Sequence, residues 1–427
     1  MTKPLHISFY TLGCKLNQAE TAALGNEAEK NGYTIVPFEE PADVTVINSC
    51  TLTNRADRKT RQALYQAKRL SPDGILVLAG CFPQINPGKS AEIEGVDIVL
   101  GTRDKFDLFA AIDDFRREGL QEVRVSPVNN RDRIASSFIA ATDRTRAFLK
   151  IQEGCSNFCT YCIVPYARGN PVSREFGNTV SEAKRLAAAG YKEIVLSGID
   201  IGAYQDQGKR LIDVARALET IDGLERIRIS SIEMNTLSDE LIRHAAASEK
   251  IMPHFHLSLQ SGSDTILKAM NRKYLTADFT QKMETIRKYI PDASIGTDVI
   301  VGFPGENDAL FREALDYISD MEFSYLHVFR FSARHGTPAA TLPKQVPEAG
   351  RKARAAILED TDRNLRQTYA SRFFGTAQPV LWERCEEGLC YGLTPHYLHV
   401  SAPGEPAWRN TISTLVLQAD HLPSENG

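Results

Sequence analysis

Three cysteines crowd into one short segment, Cys155, Cys159 and Cys162 in EGCSNFCTYC, with a C-x3-C-x2-C spacing. Thiolates this close can point at one centre, and soft sulfur ligands select iron–sulfur clusters. Three ligands cover one face of a four-iron cluster and leave one iron without a protein ligand, the open position that a reactive metal centre needs. Zinc is the competing occupant. It wants a fourth Cys or His nearby, and the residues through Lys192 supply none.

A second set is scattered. Cys14, Cys50 and Cys81 are separated by 35 and 30 residues, so no compact motif joins them. Each follows a short apolar strand, in FYTLGC, VINSC and VLAGC. The C-terminal ends of parallel strands share one edge of a sheet, so three thiols placed there can converge on a second metal centre. The bland alternative for each is a buried apolar cysteine.

The elements that must position these residues come in two series. Residues 5 to about 120 alternate short apolar strands (HISFYT, VTVINS, ILVLAG, VDIVLG) with helical patterns starting near Asn17, Thr53 and Lys105, the mark of a parallel sheet covered by helices. A polar stretch, SPVNNRDRIASSFIAATDRTR, reads as a linker. From Arg146 a second series, AFLKIQ, EIVLSG, RIRISS, HFHLSL, SIGTDVIVGF and YLHVFRFS, predicts an incomplete TIM-like barrel of six βα repeats. A helix is expected from about Pro347 to Arg372, and the last residues read as a small β-barrel. The expected class is therefore α/β, with domains over 1–125, 141–370 and 371–427.

Composition sets the limits. The 427 residues are 42% hydrophobic and 24% charged, as in globular proteins. No run resembles a signal peptide or a membrane span, which places the chain in the cytoplasm by expectation. In that reducing compartment eight cysteines point to metal binding or catalysis rather than to structural disulfides.

The triad, with Tyr161 just before its third cysteine, resembles the radical S-adenosylmethionine (SAM) signature. That resemblance implies a cluster whose open iron is chelated by SAM, and cleavage of SAM to a 5′-deoxyadenosyl radical. It also implies roles at the strand ends: Gly198 and Gly202 in LSGIDIG beside SAM's methionine part, Gln260 and Ser261 in LSLQSGS near the ribose, and Gly302 and Glu306 in VGFPGE on the adenine side. For each glycine, plain turn geometry is the competing account. Arg168 and Arg174 suit SAM's carboxylate or a phosphate, with surface salt bridging as the equal alternative.

Nearly the whole chain then resembles the methylthiotransferase family, through TLGCKLNQAET, INSCTLT, LAGC, KIQEGCSNFCTYCIVPYARG, HFHLSLQSG and VGFPGE in order and spacing. The resemblance implies two 4Fe–4S clusters, the auxiliary one held by Cys14, Cys50 and Cys81, and a C-terminal TRAM-like barrel. Lys15 in the TLGCK opening is similar to the branch acting on N6-threonylcarbamoyladenosine beside the tRNA anticodon. The implied partners are a tRNA anticodon stem-loop, a sulfur donor and a flavodoxin- or ferredoxin-like electron donor. Two other readings are a methylthiotransferase for another tRNA adenosine derivative or a ribosomal protein side chain, and a non-catalytic iron–sulfur electron carrier.

A net charge of −4 gives no overall attraction to nucleic acid, so RNA binding must come from local surface. Between Thr53 and Leu70, Arg55, Arg58, Lys59, Arg61, Lys68 and Arg69 face only Asp57, and Arg55, Arg58, Lys59 and Arg61 are the RNA-binding candidates. A solvated helix face is the alternative. From Arg372 onward there are three Arg, no Lys and six acidic residues, a poor match to phosphates. There Trp382, Tyr391, Tyr397 and Trp408 could stack on bases or fill a core, and Cys385, Cys390, His396 and His399 form an irregular zinc candidate.

Overall fold

The computed structural model describes residues 5–128 and 145–422, so most of the expected linker lies outside the described residues. The chain divides into two compact units. One comprises Met1–Thr142, Gln152–Arg174 and Ser332–Ala340; the other comprises Asp143–Ile151, Glu175–Phe331 and Thr341–Gly427. The cysteine triad, although it follows the first barrel strand in sequence, thus belongs to the same unit as Cys14, Cys50 and Cys81.

The first unit is built on six parallel strands: β1 (Leu5–Thr11), β2 (Tyr33–Val36), β3 (Val44–Ser49), β4 (Ile75–Gly80), β5 (Ile98–Leu100) and β6 (Glu122–Arg124). Their order is β2-β1-β3-β4-β5-β6, so the winding reverses between β1 and β3. Sheets of this kind bind ligands beyond the strand C-termini at that reversal. Helix α1 (Lys15–Lys30) follows β1, α2 (Asn54–Leu70) follows β3, and the short α3 (Cys81–Ile85) follows β4. Strand β3 is buried along its whole length and Val44, Val46, Val77 and Ile98 are fully shielded, as expected when helices cover both faces. Thr53 caps α2 by accepting the Ala56 N–H, which sets the start of that helix one residue after the sequence-based estimate.

In the second unit the barrel strands are Arg146–Lys150, Glu193–Ser197, Arg226–Ile229 with Ser231–Ile232, His254–Gln260, Ser294–Val301 and Tyr325–Arg330. They pair in parallel as two sheets, of three and four strands, that meet where Arg226–Ile229 runs on into Ser231–Ile232. Alternate residues divide inside from outside. Phe255, Leu257, Ile295, Val299 and Leu326 join one large apolar core, whereas the residues between them, His254, His256, Asp298 and Tyr325, are polar. A helix, Glu348–Ser371, leads to a four-stranded antiparallel sheet of Ala377–Glu386, Leu389–Leu393, His399–Pro403 and Ile412–Val416.

Buried arginines join that sheet to the barrel. The carboxylate of Glu193 receives two bonds from the Arg228 guanidinium, at 2.7 and 3.2 Å, while Arg226 donates to the carbonyls of Leu393 and Pro379 at 2.9 and 2.7 Å. Tyr397 stacks on His254 with ring centroids 4.2 Å apart, and Trp382 is buried with its indole N–H on Ser413 Oγ. Both rings serve packing.

The expectation that no cysteine forms a disulfide needs one correction. Cys385 and Cys390 face each other across an antiparallel hairpin and are bonded. This removes both thiols from the irregular zinc candidate with His396 and His399. The other six cysteines form no disulfide.

Candidate functional site

Cys14, Cys50 and Cys81 occupy the turns after β1, β3 and β4, three neighbouring strands. Cys14 is the N-cap of α1, and Cys81 is the first residue of α3. The turns press on one another. Gly13 has φ +109°, and a Cβ there would lie 2.7 Å from Cys50 Cβ and 3.1 Å from its sulfur. Only glycine lets the β1 turn approach Cys50 in this way. Burial pushes the Cys50 thiol up to about 12, with Cys81 and Cys14 adding to the rise, and Cys81 is raised for the same reason. As free thiols they are neutral; a metal that takes them as thiolates must displace their protons.

Beneath these thiols lies a charged network that sequence reasoning missed. Arg168 is buried and donates to Glu20 Oε1 at 2.9 Å and Oε2 at 3.2 Å, to Asn17 Oδ1 at 2.6 Å, and to Glu153. Lys105, fully shielded, donates to Glu20 as well and lies 3.4 Å from Asn48 Oδ1. Two carboxylates thus face two cations, the pairing that buried charge requires. Burial alone would lower the Arg168 pKa, but Cys81, Glu20 and Glu153 outweigh it and hold it well above its usual value. Neither of the sequence-based alternatives for Arg168, a cofactor carboxylate or a surface salt bridge, describes it. Arg174 is buried too.

The triad is held in a loop that ends where Arg168 begins its work. Cys155 N–H donates to Gly169 O at 3.0 Å, Cys162 N–H donates to Cys159 O at 2.9 Å, and Cys155 Sγ accepts from Asn157 N–H at 3.4 Å. Hydrogen bonds of that last kind tune the potential of a thiolate-bound cluster. Phe158 takes φ +46°, a rare value for a residue with a side chain, and its ring meets Tyr166 edge-on at 5.9 Å. A second tie runs through Ser332–Ala340. Ala339 N–H donates to Thr160 O at 2.8 Å, and Arg334 reaches Thr51 Oγ1 at 2.7 Å and Asp57 Oδ2 at 2.6 Å. One short segment therefore joins the triad loop to the residue next to Cys50.

In the barrel unit the predicted cofactor residues all stand at strand C-termini. Gly198 follows Glu193–Ser197, Gly202 lies in the next turn, Gln260 ends its strand with Ser261 after it, and Gly302 follows Ser294–Val301. Gln260 has φ +71° and is buried. The Glu306 carboxylate accepts from Gly302 N–H at 2.8 Å and from Arg354 at 2.8 Å, so it braces the turn. Two acids missed by sequence reasoning, Asp200 and Glu233, sit at the same ends. Burial raises both carboxyl pKa values, against the lowering effect of Thr236 on Asp200 and of Arg272 on Glu233.

Known proteins resemble the chain over nearly all of its length. Residues 149–318 match the radical SAM superfamily and residues 6–101 the uncharacterized protein family UPF0004. The threonylcarbamoyladenosine tRNA methylthiotransferase MtaB of Bacillus subtilis is 41% identical, with 97% of this chain and 94% of that protein covered. The MtaB of Aquifex aeolicus is 40% identical over 96% of this chain and all of its own length.

The chain belongs to the radical SAM tRNA methylthiotransferases.

Members of this family named for a different base, such as the tRNA-2-methylthio-N(6)-dimethylallyladenosine synthase of Clostridium novyi, are 35% identical over 87% of this chain and 84% of theirs. The fold is shared with the radical SAM methyltransferase TsrM of Kitasatospora setae, at TM-score 0.57 and 14% identity over 91% of this chain and 81% of that one. As a radical SAM methylthiotransferase the enzyme works with SAM and two 4Fe–4S clusters. The donor sets fit such groups: each trio offers thiols outside any disulfide, and Gly13 leaves a cradle that any side chain would fill. No helix among the described residues is long and apolar enough to cross a membrane.

Proposed function

We propose that this enzyme installs a methylthio group at C2 of N6-threonylcarbamoyladenosine at position 37 of tRNA, next to the anticodon. Cys155, Cys159 and Cys162 hold the SAM-binding cluster, and Cys14, Cys50 and Cys81 hold the auxiliary one. When bound, SAM and the clusters supply the radical that removes the C2 hydrogen and the methylated sulfur that replaces it. The chain's own residues orient and enclose: Gly198, Gly202, Gln260, Ser261 and Gly302 line the strand ends where SAM is expected, Glu306 holds the last turn, and water is kept from the reacting base. The observation that carries this reading is the presence of both free thiol trios in one compact unit, cross-tied by Arg168 and Arg334. The higher identity to the MtaB enzymes supports the threonylcarbamoyl substrate.

The test is single-base chemistry on defined tRNAs. Reconstituted protein with SAM and dithionite is given tRNA carrying either threonylcarbamoyladenosine or dimethylallyladenosine, and digested nucleosides are weighed by mass spectrometry. A methylthio derivative of the threonylcarbamoyl nucleoside alone is expected; product from the dimethylallyl tRNA alone would overturn the substrate assignment.

Helix α2 is the RNA surface in this reading. Arg55, Arg58, Lys59 and Arg61 are exposed, and so is Tyr65, at 65%, a ring available for stacking that the charge pattern did not reveal. The helix starts four residues after Cys50, so RNA on it lies beside the auxiliary site. Reversing Arg58, Lys59 and Arg61 to glutamate is expected to weaken tRNA binding at least about tenfold and to flatten its salt dependence by about three contacts' worth of slope. Filter binding at several salt concentrations reads both; unchanged affinity would remove α2 from the interface.

A further inference from the structure

Inside the barrel, three side chains that neither the fold nor the SAM site accounts for converge from neighbouring strands. They are His256 on His254–Gln260, Asp298 on Ser294–Val301 and His327 on Tyr325–Arg330. Asp298 stands directly opposite His327 in the parallel register. Among the described residues this is the group of His, Cys, Asp or Glu whose ligand atoms all lie within 4.8 Å of one another.

Both histidine nitrogens stand close to one carboxylate oxygen, at distances that suit either hydrogen bonds or ligands of a shared ion. Asp298 Oδ1 is 3.0 Å from His256 Nε2 and 3.2 Å from His327 Nδ1. Ligands about 2.1 Å from a first-row metal ion stand about 3.0–3.4 Å apart along the edges of an octahedron or tetrahedron. A second observation points to an occupant. His256 Nε2 is buried and, despite its distance from the carboxylate, has no hydrogen-bond partner.

The supporting contacts are those of a metal site. The other nitrogen of His256, Nδ1, is 3.0 Å from Tyr325 Oη, which also bonds His254 Nε2 at 2.9 Å. When Nδ1 donates to the tyrosine oxygen, Nε2 is left unprotonated and open to a ligand. Gly296 makes room for this arrangement, since a Cβ there would fall 2.0 Å from the Tyr325 ring. On the open side, His327 is 48% exposed and Asp298 21%, which leaves coordination positions for water or for an oxygen of a bound molecule.

We propose that His256, Asp298 and His327, none of them a residue of either thiol trio, form a two-histidine, one-carboxylate site for a divalent first-row transition ion, of the zinc or ferrous class, in the barrel interior. The site ties three strands together and presents an open Lewis-acidic position to the lumen.

Anaerobically reconstituted protein is dialysed against micromolar Zn2+, and zinc and iron are counted together by mass spectrometry. About one zinc per chain is expected beside the cluster iron. His327→Ala, at a half-exposed position that leaves the core intact, and Asp298→Asn should each weaken zinc retention about 100-fold while iron content stays at the parent value. Tyr325→Phe should keep the stoichiometry and weaken affinity about 10–100-fold, as loss of a supporting hydrogen bond does. A parent that takes up no zinc, or zinc that survives both His327→Ala and Asp298→Asn, overturns the site and leaves a His–Asp–His hydrogen-bond relay in its place.

Discussion

Alanine at Cys155, Cys159 and Cys162 is expected to halve the iron of the reconstituted enzyme, from about eight to about four atoms per chain, and to abolish SAM cleavage altogether. The thiols sit in a loop held by Cys155 N–H to Gly169 O and folded by an internal turn from Cys162 N–H to Cys159 O, and no other cysteine is close in sequence to replace them. The complementary variant separates the two roles. With Cys14, Cys50 and Cys81 replaced, iron again falls by about half, yet 5′-deoxyadenosine still forms under dithionite while methylthiolated tRNA does not. Iron and sulfide analysis, EPR and product chromatography read all three quantities. Loss of SAM cleavage with the strand-end trio, or none with the loop trio, would reverse the assignment of the two centres.

Arg168→Leu is the second large effect. The guanidinium is buried, and its removal takes from Glu20 and Glu153 the cation that both share. Removing one partner of a buried ion pair costs about 3–5 kcal/mol, a fall of roughly 6–20 °C in the unfolding midpoint. Because the same guanidinium joins α1 to the residues before Cys155, iron retention by both trios should fall together. Glu20→Gln in the Arg168→Leu background should recover part of the loss, since it removes one of the two carboxylates that the guanidinium served. A midpoint within a few degrees of the parent's would show that the network is not a principal tie of this unit.

Much of the site could be read from sequence because it rests on local rules. The triad's spacing confines its thiols to one loop whatever the rest of the chain does. The scattered trio was legible for a topological reason: a cysteine directly after each of three parallel strands must arrive at one sheet edge, and β1, β3 and β4 are in fact adjacent. The barrel strands declared themselves through apolar runs at helix-and-strand spacing, and their turns carried the glycines.

What escaped depended on partners distant in the chain. Arg168 meets Glu20 across 148 residues, and nothing near either residue marks the pair. The disulfide was closer to hand, since Cys385 and Cys390 flank EEGL, a turn between two β-prone runs, and cross-strand register was the missing piece. For His256, Asp298 and His327 the sequence held half the signal. Alternation in HFH turns both histidines to one side of a strand, but only the parallel register brings Asp298 and His327 beside them.

By itself, then, the sequence determined which chemistry the chain carries, because iron–sulfur ligation and radical SAM catalysis need particular residue types at short spacings and at strand ends. Tertiary structure decided which charges are buried together, which thiols pair and which basic face stays exposed. Those depend on distances between segments far apart in the chain, set by the packing of the sheet and barrel rather than by any local preference.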